Sequence, residues 1–242
     1  MALLIISAIS GCSKKQILQE HNNSFFAWMD AYIAIEKSTS NSIAATLFFK
    51  DVPFLKDDVS NISFLDIGEN VKINDFKIEN MDQSTNGFSS YAITLDFTAS
   101  EVGVFKTSGL LLNLKSNKSI KYLIGGWVFD VNPPGKEIVN SWNALVASTN
   151  PGKFPYDYSL YQNGKITKIY YADNSFVKDD SGLEYKGEVN ISNIYSAPLV
   201  YIKAKIIVSV DGEEIINYGK GTYCGAMNFA EDAISASKKR ND

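Results

Sequence analysis

The sequence contains few of the residues that most hydrolytic and metal chemistry uses. Its 242 residues include one histidine, His21, and two cysteines. A zinc site built from two or three imidazoles is therefore excluded, and one imidazole is left to serve a serine or cysteine nucleophile. No cofactor or metal-ligand set follows from the sequence.

An excess of positive charge is also missing, because 27 Asp and Glu residues outnumber 23 Lys and Arg residues. Without a net positive field to gather phosphates, sequence-independent nucleic-acid binding is disfavoured. What remains is a mildly acidic chain with 45% hydrophobic residues, long enough to fill one core or two small ones without disulfides. These figures describe an ordinary folded protein.

The amino terminus has an apolar stretch, residues 2–10, that is too short to span a bilayer. Its length is typical of the apolar region of a secretory signal, and it ends in the small residues Ser10 and Gly11 just before Cys12. No Lys or Arg precedes it, a departure that a start codon placed too late would explain. The alternative is a buried amino-terminal strand that ends in Gly-Cys.

The run Ile-Ser-Gly-Cys at 9–12 resembles the lipobox of bacterial lipoproteins. The resemblance implies cleavage between Gly11 and Cys12 and a lipid on the Cys12 sulfur. The protein would then be anchored to the extracytoplasmic face of a bacterial membrane. We accordingly expect a signal peptide at 1–11 and a polar tether at 12–22. Two or three acyl chains, at about 0.8 kcal/mol per buried methylene, would make the anchorage permanent.

Periodicity predicts a mainly β chain with a short helix in front. Apolar residues at helical spacing indicate that helix within 23–56, the N-terminal helix and its connection. Alternating patterns then predict a β-rich domain 1 at 57–146 and a β-sandwich domain 2 with a basic C-terminal tail at 159–242. The small and polar segment 147–158 is expected to link them. We therefore predict two β-sandwich, immunoglobulin-like domains, with an α+β first domain as the alternative.

The clearest strand pattern covers residues 200–210, whose even-numbered side chains are all apolar: Val200, Ile202, Ala204, Ile206, Val208 and Val210. A period of two sends these residues to one face and Tyr201, Lys203 and Lys205 to the other. Asp211-Gly212 is then expected to turn the chain into a partner strand. Asn163-Gly164 is a second strong hairpin signal.

The second half resembles the FxLYD-type immunoglobulin-like domains of bacterial surface lipoproteins over roughly residues 165–229. The resemblance lies in the sequence GEVNISN at 187–193, in Ala-Pro-Leu at 197–199 and in the long alternating strand that ends at 211–212. It implies a β-sandwich that serves as a binding or spacer module outside the cytoplasm. It carries no catalytic residues across, because a fold alone does not determine chemistry.

Tyrosines of the second half are the candidate partner-binding surface: Tyr171, Tyr185, Tyr195 and Tyr201. Exposed, their flat amphipathic rings would suit a protein or glycan partner. Alternatively, most of them are half-buried sandwich residues with only their hydroxyls in water. Cys224, which would lack a disulfide partner if Cys12 carries a lipid, is expected to be a packed thiol.

Acidic residues occur in adjacent pairs, at 57–58, 179–180, 213–214 and 231–232. Because neighbours along a strand point to opposite faces, we expect these pairs to be solvated rather than to face each other across a substrate. The sequence thus favours a lipid-anchored, non-enzymatic binding or structural module. An extracytoplasmic carboxylate-dependent hydrolase is the alternative.

Overall fold

The computed structural model describes residues 16–18, 24–50, 58–141, 148–161, 163–173, 176–177, 184–225 and 231–241. Within these ranges the chain forms eighteen strands and one α-helix, which confirms the mainly β prediction. The elements are β1 (Gln16–Leu18), β2 (Ser24–Phe26), β3 (Met29–Glu36), β4 (Asn41–Phe49), β5 (Val59–Phe64), β6 (Val71–Thr85), β7 (Phe88–Ala99), β8 (Gly103–Leu114), β9 (Lys118–Asn132), β10 (Val139–Ser141), β11 (Lys153–Leu160), β12 (Lys165–Tyr170), β13 (Phe176–Val177), β14 (Glu184–Asn190), β15 (Leu199–Lys203), β16 (Lys205–Val210), β17 (Glu213–Tyr218), β18 (Thr222–Gly225) and α1 (Glu231–Asn241).

One long sheet joins the two halves of the chain, with strand order β18-β15-β3-β9-β8-β5, and β1 also pairs with β9. Strands β15, β3 and β9 run parallel to one another, with Tyr201 opposite Ala31 and Ala31 opposite Trp127. The predicted division into independent domains is therefore wrong, because strands from both halves pair in one sheet. The predicted linker, 147–158, is wrong as well, since β11 begins at Lys153 and pairs with β14.

The first core lies between this long sheet and a second sheet of order β2-β4-β7-β6. Alternate residues of β7 fill it as the period-two pattern predicted, and Ile93, Leu95 and Phe97 are fully buried. In β9, Gly125 has a φ of +115°, and a Cβ there would lie 2.0 Å from the carbonyl oxygen of Met29. A glycine at this irregularity lets β9 pass against the start of β3.

The second core lies between the sheets β10-β11-β14 and β13-β12-β16-β17 and is closed by one face of β15. Ile206 and Val208 are fully buried in it, so the inward row predicted for 200–210 is confirmed. The row is divided between two strands, because the chain leaves the long sheet at Ala204 and enters another sheet as β16. Asp211-Gly212 forms the expected hairpin turn, with φ angles of 51° and 86°.

Asn163-Gly164 does not close a hairpin between its flanking strands. Strand β11 pairs with β10 and β14, whereas β12 pairs with β13 and β16. The connection instead carries the chain from one sheet of the second core to the other. A local turn signal does not determine which strand becomes the partner.

The predicted helix within 23–56 is wrong, since this segment forms β2, β3 and β4. The apolar residues of this segment are not confined to one face, because β3 is buried on both of its faces. Ala31 and Ile33 enter the first core, whereas Tyr32 points from the opposite face. A parallel strand covered on both faces has a nearly continuous apolar run, which matches a helical pattern as well as a strand pattern.

The helix lies at the other end of the chain, where α1 replaces the predicted basic tail. Acidic residues in its first turn and basic residues in its last turn stabilise its macrodipole. Ile234 packs with Phe25, Phe48 and Phe88 on the outer face of the second sheet, and Ser237 Oγ accepts a hydrogen bond from the Trp28 amide at 2.9 Å. The helix therefore covers a sheet face that solvent would otherwise reach.

A buried polar cluster also connects the two halves. Asp130 Oδ2 accepts a hydrogen bond from the Tyr32 hydroxyl at 2.5 Å and pairs with Lys205 Nζ at 2.5 Å. The ammonium also lies 4.7 Å from the centre of the Tyr170 ring. Lys205 was expected to face solvent, but it forms a largely buried ion pair. Removing one partner of this pair would leave an uncompensated charge.

The buried row of β16 makes one substitution diagnostic. We expect Ile206→Asp to abolish cooperative folding, because an unpaired carboxylate would enter the second core. Ser209→Asp, on the partly exposed face of the same strand, should shift the free energy of unfolding by about 0.5 kcal/mol or less. Thermal melts followed by circular dichroism compare the two. Equal, small losses would show that β16 is not covered on its inner face.

The shared sheet predicts that the first half does not fold by itself. A chain of residues 24–147 lacks β15, so the edge of β3 and part of the first core would be open to water. We expect this fragment to aggregate or to lack a cooperative melt, and residues 148–242 supplied as a second chain should restore the melt. A monomeric fragment with the melting temperature of the whole chain would contradict this.

Candidate functional site

A polar cleft of about 450 Å³ opens where the carboxyl ends of three parallel strands meet. Strands β3, β9 and β15 end there at Glu36, Asn132 and Lys203, and the turn after β3, the loop after β9 and the segment after β17 form the walls. The lining residues used below are Glu36, Asn41, Lys136, Glu137, Tyr201, Lys203, Asn217, Tyr218, Lys220 and Gly221, with Thr39, Ser40 and Ser42 beside them. The cleft thus depends on both halves of the chain.

Lys203 is the most unusual group in the lining. It ends β15, is only partly exposed, and its Nζ donates to Asn41 Oδ1 at 2.5 Å. Burial lowers the pKa of its ammonium from 10.5 to about 8. Among the residues that the structure describes, no carboxylate lies within 4.0 Å of Lys203 Nζ. This cation is therefore desolvated without a counterion from the described chain.

Asn217 lies under the same cleft and is 3% exposed. Its Oδ1 accepts two backbone hydrogen bonds, from Ile138 at 2.8 Å and from Val139 at 3.1 Å. Two donors on one side of the amide determine which atom is oxygen. In the described part of the chain, Nδ2 has no hydrogen-bond partner. A buried amide donor without a partner costs about 1–3 kcal/mol, so it favours any acceptor that can reach it.

Two carboxylates line the cleft. Glu36 is partly exposed, and its Oε2 accepts the amide hydrogen of Gly135 at 3.4 Å. Glu137 is exposed in the loop after β9. Glu36 therefore helps to hold the loop that carries Glu137.

Aromatic side chains form part of the wall. Tyr201 is 6% exposed and its ring centre lies 4.7 Å from that of Tyr223, which fixes its position. Gly221 passes directly over it, and a Cβ on Gly221 would lie 1.8 Å from the Tyr201 hydroxyl. Tyr218 is partly exposed, and its hydroxyl donates to the Pro133 carbonyl at 3.4 Å. Burial raises the pKa of both phenols, so they stay neutral donors.

The four tyrosines predicted as a partner-binding surface do not form one. Tyr171, Tyr185 and Tyr201 are buried, with 8%, 0% and 6% exposure, and the expectation of exposed rings is wrong for them. Tyr195 is partly buried and its hydroxyl donates to the carbonyl of Tyr171 at 2.6 Å. Tyr201 was expected to face solvent, but its side chain lies in the first core, because both faces of β15 are covered. Only Tyr201 of these four lines the cleft.

The other predicted residues have separate positions. Gly11, Cys12 and His21 lie outside the described residues. Cys224 is fully buried in the second core as a free thiol, which confirms the packed-thiol prediction, and burial raises its pKa to about 12. Of the adjacent acids, Glu213 and Glu214 are exposed on β17.

His, Cys, Asp and Glu side chains of the described ranges nowhere gather in a group of three or more that could hold a metal ion. No helix in the same ranges has the length and apolar character needed to cross a bilayer.

Sequence reasoning missed Lys203 and Asn217. The alternating pattern predicted that Lys203 faces solvent. Asn217 is one of several polar residues in a short strand, and no pattern distinguishes it from the others. The β16–β17 hairpin, in which Ile206 pairs with Asn217, brings Lys203 and Asn217 together. The position of Lys203 beside the turn after β3 depends on the parallel pairing of β15 with β3, which joins residues about 170 positions apart. The one available signal was a lysine inside an apolar strand.

The unpaired ammonium predicts a pH-dependent cost. Below pH 8 the folded protein holds a desolvated charge, so Lys203→Met should raise the free energy of unfolding at pH 7 by about 3 kcal/mol. Between pH 8 and 10.5 the unfolded chain binds more protons than the folded one, so wild-type stability rises with pH and this advantage should shrink. Urea melts at several pH values measure the difference in the free energy of unfolding between Lys203→Met and the wild type.

Lys121→Met, at an exposed position of β9, is the control and should show no such pH-dependent gain. If Lys203→Met were instead destabilised at pH 7, Lys203 would have to be a well-paired cation.

Comparison with known proteins adds little. No family model matches the chain, and no curated protein matches it. The fibronectin(III)-like modules of Clostridium thermocellum CbhA share 14% identity over 84% of this chain and 93% of theirs, with a TM-score of 0.24. A three-immunoglobulin fragment of titin shares 9% identity over 84% of this chain and 66% of its own length, with a TM-score of 0.24. At these TM-scores the likeness carries no argument about function.

Proposed function

We propose that this protein is a lipid-anchored bacterial envelope protein that acts as a non-enzymatic binding or structural module on the extracytoplasmic face of its membrane. The observation that carries the proposal is the polar cleft, whose walls are held by the sheet that both cores share. A site whose groups are ordered before a ligand arrives loses less entropy on binding.

The anchor is supported by the Ile-Ser-Gly-Cys run at 9–12 and by the polar residues that follow it. Cys224 is enclosed in the second core as a free thiol, so it is not committed to a disulfide. A thioether-linked lipid is the role that we propose for Cys12. The anchored protein would reach its partner, a protein or a glycan, from the membrane surface.

Binding is favoured over a carboxylate-dependent hydrolase by the kind of group that the cleft encloses. A glycosidase places two carboxylates on opposite sides of the bond that it cleaves. Here Glu36 accepts a hydrogen bond from Gly135, and Glu137 stands in solvent. The more enclosed groups are donors, the amine of Lys203 and the amide of Asn217. Such donors hold a ligand by its acceptor atoms.

The anchor is tested by comparing the two cysteines in the bacterial host. Cys12→Ser removes the sulfur that would carry the lipid, so we expect the protein to leave the detergent phase and to lose incorporation of labelled fatty acid. Cys224→Ser is the matched control and should stay in the detergent phase, because its hydroxyl lies in the second core. Detergent partitioning of Cys12→Ser identical to wild type would overturn the lipoprotein proposal.

A further inference from the structure

We propose that the cleft between the ends of β3, β9 and β15 binds a small organic carboxylate that also carries hydroxyl groups, the chemistry of a uronic acid. This inference rests on the proposed function as a binding module and names the ligand class of its cleft. The carboxylate would pair with Lys203, and the hydroxyls would meet the polar side chains of the turn after β3.

Lys203 has no counterion among the described residues. A charged group is rarely taken out of water unless an opposite charge or several hydrogen bonds accompany it. The neutral Asn41 oxygen occupies one of the three ammonium donors. The other buried lysine of this region, Lys205, has Asp130 at 2.5 Å. By contrast, Lys203 faces an open cleft, where a ligand carboxylate can provide the missing charge.

The charges of the lining limit the charge of the ligand. Among the described residues that line the cleft, Glu36 and Glu137 are negative, and Lys203 has no carboxylate within 4.0 Å. A monoanion provides the single charge that Lys203 lacks. A phosphate monoester, with about two negative charges at neutral pH, would meet repulsion from the glutamates.

The remaining lining is suited to hydroxyl groups. Ser40 and Ser42 present hydroxyls, and Glu36 presents carboxylate oxygens that accept, whereas the Thr39 hydroxyl already donates to the Glu36 carbonyl. Among the described residues that line the cleft, Ile216 has the one aliphatic side chain. A fatty acid would leave these groups dry and unpaired, whereas a hydroxylated acid satisfies them.

The volume agrees with a ligand of this kind. About 450 Å³ lies at the lower end of the range of about 300–1,000 Å³ that small-molecule sites occupy. The cleft is also open to solvent on one side. It therefore admits either a free acid or the last unit of a longer saccharide.

Isothermal titration calorimetry on the full chain in mild detergent tests the ligand class with three probes. D-glucuronate carries both the carboxylate and the hydroxyls, D-glucose only the hydroxyls, and N-acetylglycine a carboxylate without hydroxyls. We expect glucuronate to bind at least tenfold more tightly than either of the others, since each lacks one set of contacts. Equal affinity for glucose, or no measurable binding of glucuronate, would overturn the proposal. An oligosaccharide ending in glucuronate separates the sources, because tighter binding than the free acid identifies a glycan.

Two further measurements assign the role to Lys203. Lys203→Met should weaken glucuronate binding at least tenfold, and Lys121→Met should leave it unchanged. With a pKa of about 8, wild-type affinity should fall about 30-fold between pH 7 and pH 9.5, and this fall should be absent in Lys203→Met. The other titratable groups facing the cleft are Glu36, Lys136, Glu137, Tyr201, Tyr218 and Lys220. The same pH dependence in Lys203→Met would assign it to one of these and overturn the role of Lys203.

The proposed function can fail independently of this inference. Loss of membrane anchorage in Cys12→Ser does not involve the cleft, and binding of glucuronate does not involve the anchor. Conversion of a glucuronide into products would contradict the non-enzymatic role while leaving the ligand class in place. Absence of glucuronate binding in an anchored protein would overturn the ligand class alone.

Discussion

The structure depends on one strand, β15, that lies between β3 and β18 and is covered on both sides. Leu199 and Tyr201 enter the first core, and Val200 and Ile202 enter the second. A strand with both faces buried cannot leave its sheet without exposing two cores at once. The two halves of the chain are therefore joined by shared hydrophobic burial, which a flexible linker could not provide. The buried pair of Asp130 and Lys205 adds an electrostatic connection at the same level.

The same strand creates the candidate site. Because β15 runs parallel to β3 and β9, the three carboxyl ends arrive at one edge of the sheet, and connections from distant parts of the sequence meet there. Lys203 is the last residue of β15, at the point where the chain leaves the sheet. Its ammonium is largely buried, and none of the described carboxylates pairs with it. An unpaired charge at a partly buried position costs stability. That cost is consistent with a binding role, since sites for ligands commonly hold groups that the folded chain does not satisfy.

Local patterns predicted the strands and turns better than their partners. The alternation of β7 and of 200–210 reported which residues are buried, and Asp211-Gly212 reported its turn. A helix was predicted within 23–56 because a strand covered on both faces, such as β3, loses its alternation. Tyr201 was expected outside for the related reason that alternation shows which side a residue takes and not what covers that side. Asn163-Gly164 predicted a hairpin, but the strands on either side of it belong to different sheets.

By itself the sequence determined a mainly β fold, two groups of buried residues, a packed Cys224 and the lipobox-like residues that end at Cys12. These follow from composition and from patterns within about ten residues, where side-chain direction is set by the backbone. The tertiary structure alone decided that the halves share one sheet, that β15 is buried on both faces and that Lys203 shares a cleft with Glu36 and Asn41. These features depend on parallel pairing between strands about 170 residues apart, and no local pattern encodes a partner at that distance.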